Sequence, residues 1–219
     1  MLASFVRGAP LEWILDPGAD PWRKAAPERI ALIGTPLGLQ PTAVIRNAWA
    51  DRKIGAVDRV DVAALHNGEV LAFRLEWSDG SENRDLTDTN VFPDAAAVMF
   101  PAKPGAPLMT MGAAGMPVNA WYWRADNDTQ GRQVLAEGIG TSRTPDLESV
   151  RTHGLWKGGR WGLVIARPLR VAGAEPFVQL APGASTEFAV AIWEGSNGER
   201  GGIKSFSGSW RELRLAPAA

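Results

Sequence analysis

Val60-Asp-Val-Ala-Ala-Leu-His-Asn-Gly-Glu-Val-Leu-Ala-Phe-Arg-Leu-Glu-Trp77 is the stretch from which the fold can be read. Val60, Val62 and Ala64 fall on one side of a two-residue alternation, and Leu71, Phe73, Leu75 and Trp77 repeat it. Side chains alternate across a strand, so each run presents one apolar face. Between them lies His66-Asn67-Gly68-Glu69, and Asn-Gly favours the positive φ angles of a tight hairpin turn. The segment reads as an antiparallel pair with one buried face and with His66 solvated in the turn.

Further strand-like runs extend outward from this hairpin: Ala95–Phe100, Val118–Arg124, Arg160–Leu169, Thr186–Trp193 and Trp210–Leu215. Turn clusters such as Lys103-Pro-Gly-Ala-Pro107 separate them. The best helical candidate is short, Asp146–His153 after Pro145. Six prolines (10, 17, 21, 27, 36 and 41) break the first 41 residues, where no continuous helix or central strand is expected. Residues 1–41 therefore read as a proline-rich arm, with a strand near Arg29–Ile33, and residues 42–219 as one domain. The expected class is mainly β, an antiparallel β-sandwich with a few short helices.

Composition removes several functions. The 219 residues hold 23 basic and 24 acidic side chains, a net charge of −1, so there is no excess of cations for nucleic acid. Cysteine is absent, which excludes disulfides, thiolate catalysis, Cys-ligated zinc, protein-bound iron–sulfur clusters and covalent haem through C-x-x-C-H. No apolar run reaches the roughly 18 residues of a membrane span. Met1–Pro10 lacks the basic-then-apolar order of a signal peptide.

Local motifs are sparse. His66 and His153 are the only histidines, too few for a His-based metal centre, and no G-x-S-x-G elbow occurs. Gly195-Ser-Asn-Gly-Glu-Arg-Gly-Gly202 lacks phosphate-loop spacing, and Asp126-Asn-Asp128 lacks the remainder of a calcium loop; both read as solvated loops. Two features stand apart. Met109, Met111 and Met116 share one glycine-rich loop, either as metal ligands or as a cover for the sheet end. Lys204 follows Gly201-Gly-Ile203, where the ordinary reading is a solvated lysine.

Several ordered stretches carry a resemblance: Phe92-Pro-Asp-Ala-Ala-Ala-Val-Met-Phe-Pro101, Met111-Gly-Ala-Ala-Gly-Met-Pro-Val-Asn-Ala-Trp-Tyr-Trp123, Ala136-Glu-Gly-Ile-Gly-Thr141, Trp156-Lys-Gly-Gly-Arg-Trp161, and Phe188 to Ser207 with Trp210. Together they span most of the chain from Thr42. The chain resembles the haem b-binding gamma subunits of type II dimethyl sulfoxide reductase-family molybdoenzymes. The resemblance implies a non-catalytic electron-transfer subunit with non-covalent haem b, its iron held by Met111 and Lys204. Met116 stands where the family often has His and is the rival ligand, followed by Met109. The tryptophans are then expected to wall the haem pocket. Implied partners are a molybdopterin alpha subunit, an iron–sulfur beta subunit, and an external c-type cytochrome or similar carrier; the proline-rich arm, too irregular to form a core of its own, is the candidate docking segment. The resemblance implies a periplasmic location; without a visible signal peptide, a cytoplasmic one stays open. The rival readings are a carbohydrate- or ligand-binding β-sandwich with a platform of exposed Trp, and an assembly subunit without haem.

Overall fold

The computed structural model describes residues 1–85, 91–173 and 175–218. Its strands are β1 (Leu2–Phe5), β2 (Glu28–Ala31), β3 (Ile33–Gly34), β4 (Arg59–His66), β5 (Val70–Ser78), β6 (Ala95–Pro101), β7 (Val118–Arg124), β8 (Asn127–Ala136), β9 (Arg151–Trp156), β10 (Arg160–Pro168), β11 (Ser185–Trp193), β12 (Ser205–Phe206) and β13 (Arg211–Leu215). The α-helices are α1 (Leu11–Leu15) and α2 (Ala43–Ala48). The fold is mainly β with few helices, as the alternation implied.

The hairpin forms as expected, β4 and β5 pairing antiparallel from Asp61↔Glu76 to His66↔Leu71. Ladder pairing then runs β13-β1-β4-β5-β10-β9-β8-β7-β6-β11, and β11 pairs back to β13. The expected open sandwich is thus a closed, flattened ring of strands, which leaves these strands no free edge. Closure depends on β1, which lies parallel to both β13 and β4 and departs from the all-antiparallel expectation.

Three apolar layers result. Inward positions from both halves of the ring meet in the central core, where Phe73 packs against Phe100, Trp121 and Phe188 at centroid distances of 5.5–6.0 Å. Beside them Trp77 stacks on Trp161, and Trp123 meets both rings edge-on, 5.0 Å from Trp161. Each fully buried ring of this kind contributes on the order of 2–3 kcal/mol. The outward positions of β4, β5 and β10 are buried as well: Ala63, Leu65, Ala72, Val164 and Ala166 lie beneath Val6, Ile14, Trp22 and Ala25. Residues 1–41 are therefore woven into the same body, supplying strands, α1 and this covering layer. The third layer, on the outward face of β6, β7 and β11, gathers Ala97, Met99, Ala120, Ala189 and Ala191 under residues 106–116.

The proposed helix Asp146–His153 does not form. Residues 146–150 have no regular structure, and Arg151 begins β9, in which Thr152 and Gly154 face inward and His153 and Leu155 outward. Val150 packs against Gly131, where an added Cβ would approach Val150 Cγ1 to 2.5 Å. His66 is not solvated. It ends β4, is fully buried, and lies opposite Phe5 of β1 with ring centroids 5.4 Å apart. Burial lowers its pKa.

Candidate functional site

The outward row of small side chains on β6 and β11 leaves a shallow apolar floor. Ala189 and Ala191 lie there between inward-facing Phe188, Val190 and Ile192. Over this floor opens a partly open, apolar cleft. Leu108, Met109, Met111 and Ile139 line one wall; Thr35, Pro36, Leu39 and Gln40 line the other; Gly202 and Lys204 close it.

Met111 is delivered by a strained turn. It is the only non-glycine among the described residues with positive φ, at 57°, a conformation that costs an L-residue on the order of 1–3 kcal/mol. Its N–H donates to Leu108 O (2.9 Å), and its carbonyl accepts from Gly138 N (3.0 Å). Gly112 follows at φ 86°, where a Cβ would meet Met116 O at 2.7 Å and Ala136 O at 2.8 Å, so only glycine passes. Trp210 Nε1 donates to Ala106 O (2.8 Å) and pins the start of the same loop.

Lys204 is delivered by the glycine-rich stretch 195–202, which is a lock and not a solvated loop. The buried Glu199 carboxylate accepts from Gly55 N (2.9 Å), Ala56 N (2.8 Å), Asn197 Nδ2 (3.1 Å) and Glu194 N (3.1 Å). At the base, buried Asp94 accepts from Gly195 N (2.8 Å), Asn83 N (2.9 Å) and Trp161 Nε1 (3.1 Å), and desolvation pushes its carboxyl up to about 7. Thr35 clamps the far end: its N–H donates to Lys204 O (3.0 Å) and its hydroxyl to Gly202 O (2.6 Å). Gln40 Nε2 donates to the same Gly202 carbonyl (3.2 Å).

These two loops bring together side chains 93 positions apart. Lys204 Nζ lies 3.7 Å from Met111 Sδ and 5.2 Å from the centre of the Trp193 ring. The lysine is 5% exposed and has no oxygen acceptor or carboxylate partner among the described residues. A thioether is a weak acceptor, so little offsets the desolvation of an ammonium. Burial accordingly lowers the Lys204 pKa to about 8. The arrangement offers one soft neutral sulfur and one amine that is easily deprotonated, side by side in an apolar cleft.

Other sequence candidates lie elsewhere. Met109 lines the cleft but is 41% exposed at its mouth. Met116 packs half-buried with the outward layer, its backbone paired to Ala113. His153 projects from β9, its Nδ1 3.3 Å from Asp128 Oδ2, and neither histidine lines the cleft. Asp128 also accepts from Trp123 Nε1 and Gly154 N, so Asp126–Asp128 serves a strand junction and not an open loop. The tryptophans do not wall the cleft: Trp22, Trp77, Trp121, Trp123 and Trp161 fill interior layers, and only Trp193 borders Lys204. Of the ten, Trp13 alone is exposed, so no platform of surface indoles exists. The wall Thr35–Gln40 escaped the sequence reading, because it fell within the stretch read as a proline-rich arm.

Against known proteins, the family model described as Ethylbenzene dehydrogenase matches residues 19–147 and 138–205. The chain belongs to the ethylbenzene dehydrogenase family. Its relatives include the chlorate reductase subunit gamma of Ideonella dechloratans, 34% identical over 91% of this chain and 79% of that one. A Haloferax mediterranei protein named as a respiratory nitrate reductase heme subunit, ORF7, is 34% identical over 92% of this chain and 68% of its own length. These matches establish the gamma-subunit resemblance. Subunits of this kind do not carry the catalytic centre. Among solved structures, a family 9 carbohydrate-binding module from Caldicellulosiruptor kristjanssonii, in complex with glucose, superposes with a TM-score of 0.53 at 9% identity. It covers 100% of this chain and 96% of that one, and at such identity the likeness concerns fold alone. No helix among the described residues is long and apolar enough to cross a membrane.

Proposed function

We propose that this chain is a haem b electron-transfer subunit, with Met111 and Lys204 as the axial ligands. The observation that carries the reading is the buried Lys204 amine beside Met111 Sδ, with no oxygen acceptor and an apolar cleft around it. The residues fit the group: alanines on the floor accommodate a flat ring system, and both donors are neutral when the lysine is deprotonated. When bound, haem b supplies a one-electron couple within this cleft.

The chain's own part is to bind and orient. Met111 presents sulfur, which favours the reduced metal and raises the potential. Lys204 presents its amine only after losing a proton, and the pKa lowered to about 8 brings that loss near neutrality. If Met111 and Lys204 both held the iron, no position would be left for a substrate, as suits electron relay. The lock through Glu199 and the clamp through Thr35 fix the lysine backbone, while the turn at Met111 fixes the sulfur. In this proposal the chain exchanges electrons between the iron–sulfur subunit of a molybdenum oxidoreductase and an external carrier such as a c-type cytochrome, in the periplasm. Residues 1–41 contribute to docking.

The test is the absorption spectrum of the full chain after reconstitution with hemin, oxidised and reduced, for the wild type, Met111→Ala and Lys204→Ala. A haem b spectrum that changes in both variants is expected. A spectrum unchanged in both moves the ligands elsewhere, and no haem band in the wild type overturns the reading.

A further inference from the structure

Three acids stand one residue beyond three strand ends, and none of them lines the cleft. Asp79 directly follows β5, Asp94 directly precedes β6, and Glu194 directly follows β11. Pairing of Ala95 with Trp193 sets Asp94 and Glu194 on neighbouring strands, while β5 belongs to the other half of the ring. One carboxylate oxygen from each acid lies within 4.8 Å of one from each of the others. We propose that Asp79, Asp94 and Glu194 bind a divalent cation, calcium by preference, which staples the two halves of the ring at this end.

The charge at this point has no counterpart in the protein. Asp94 is fully buried, Asp79 is 4% exposed and Glu194 is half-buried. No ion pair among the described residues includes any of the three. Arg84, over the Trp161 ring at 5.0 Å, is committed to Glu82 and to the carbonyls of Ala125 and Gly154. Buried carboxylates without a positive charge must take up protons or a cation. The hydrogen bonds favour the ionised forms, and hence the cation. Asp94 accepts from Gly195 N, Asn83 N and Trp161 Nε1, Asp79 Oδ1 accepts from Ser81 N (3.1 Å), and Glu194 Oε2 accepts from Asn197 N (2.6 Å). Asp79 Oδ2 is buried and has no hydrogen-bond partner among the described residues. The indole N–H groups of Trp77 and Trp161 lie near enough to favour the ionised Asp79 without supplying that partner. Desolvation, with a further push from the neighbouring acid, raises the Asp79 carboxyl to about 6.

A set of oxygen donors suits a hard cation. Calcium holds its ligands at about 2.3–2.6 Å and so spans oxygens up to 4.8 Å apart, whereas the tighter magnesium shell, about 2.0–2.1 Å, does not. Half-buried Glu194 leaves one side where water completes the coordination. Glu194 and Asp94 also hold the base of the stretch 195–202, so the ion stiffens the segment that delivers Lys204.

The experiment titrates calcium chloride, then magnesium chloride, into the chelator-treated, haem-free full chain by calorimetry at pH 7.5, with thermal unfolding in parallel. Wild type, Asp79→Asn and Glu194→Gln are compared; the second variant, at a half-buried site, serves if the first does not fold. One saturable calcium site, with weaker magnesium binding and a raised thermal midpoint, is expected. Either variant is expected to weaken calcium at least about tenfold, as ligand charge sets affinity in such sites. No saturation up to about 10 mM, above the range of weak extracellular calcium sites, overturns the proposal in favour of a shared proton. Calcium binding that is undiminished in the variants overturns it by placing the ion elsewhere.

Discussion

Lys204→Met in the haem-free protein tests the electrostatics of the cleft independently of any cofactor. The Lys204 pKa falls from an ordinary 10.5 to about 8 because burial disfavours the ammonium. The unfolded chain therefore holds the proton more tightly than the folded one between these values. Stability rises with pH wherever the unfolded state binds more protons. The penalty is fully present below pH 8 and disappears as the pH climbs from about 8 towards 10.5. A shift of this size corresponds to on the order of 3 kcal/mol. Methionine has nearly the same length and no charge, so Lys204→Met is expected to be the more stable protein at pH 7, by up to that amount. The two proteins draw together as the pH passes 10 and converge above about 10.5. Denaturant unfolding at pH 7, 8, 9 and 10 measures this, and the difference between the curves cancels groups common to both, including buried Arg167, whose pKa is lowered to about 9. Parallel curves across the whole range, or a variant less stable at pH 7, refute the claim that Lys204 is a buried ammonium without an oxygen or carboxylate partner.

Two changes probe the lock beneath the lysine. Glu199→Gln replaces one carboxylate oxygen with a donor that faces backbone N–H groups, since both oxygens already accept. The expected loss is about 2 kcal/mol of stability by denaturant titration, with faster haem loss from the reconstituted protein. Gly195→Ala places a Cβ 1.8 Å from Phe92 O, an overlap that only backbone movement relieves. The expected cost is at least about 2 kcal/mol, read as a lowered midpoint in thermal unfolding, while Gly80→Ala, with open space around its Cβ and no positive φ, is the milder control.

The parts of the fold legible in the sequence are those whose burial follows the strand period. Val60 to Trp77 could be read because inward Val62, Phe73 and Leu75 alternate with residues of another character. β8 was missed because its inward positions include Gly131 and Gln133, which carry no apolar signal; Gln133 is buried by hydrogen bonding to Asn119 and Ser149. The helix proposed at Asp146–His153 failed for a related reason. A turn-rich sequence after proline suits a helix start, but the alternation from Thr152 is that of a strand. His66 was misplaced by one position: the turn begins at Asn67, and the strand before it is covered by β1, whose parallel pairing no local pattern announces.

By itself, the sequence determined that the protein is mainly β, lacks cysteine-based chemistry, and carries the ordered stretches of a haem-subunit family, with Met111 and Lys204 singled out by that resemblance. Tertiary structure alone decided that these two side chains meet. They lie on different loops, and their 3.7 Å approach depends on closure of the ring through β1, on the Glu199 lock and on the clamp from Thr35. It alone also decided that Thr35, Pro36, Leu39 and Gln40, within residues 1–41, build a cleft wall. Local patterns record which way a side chain points from its own strand. Which loops converge on a common floor is set by long-range pairing, and no short stretch of sequence contains that information.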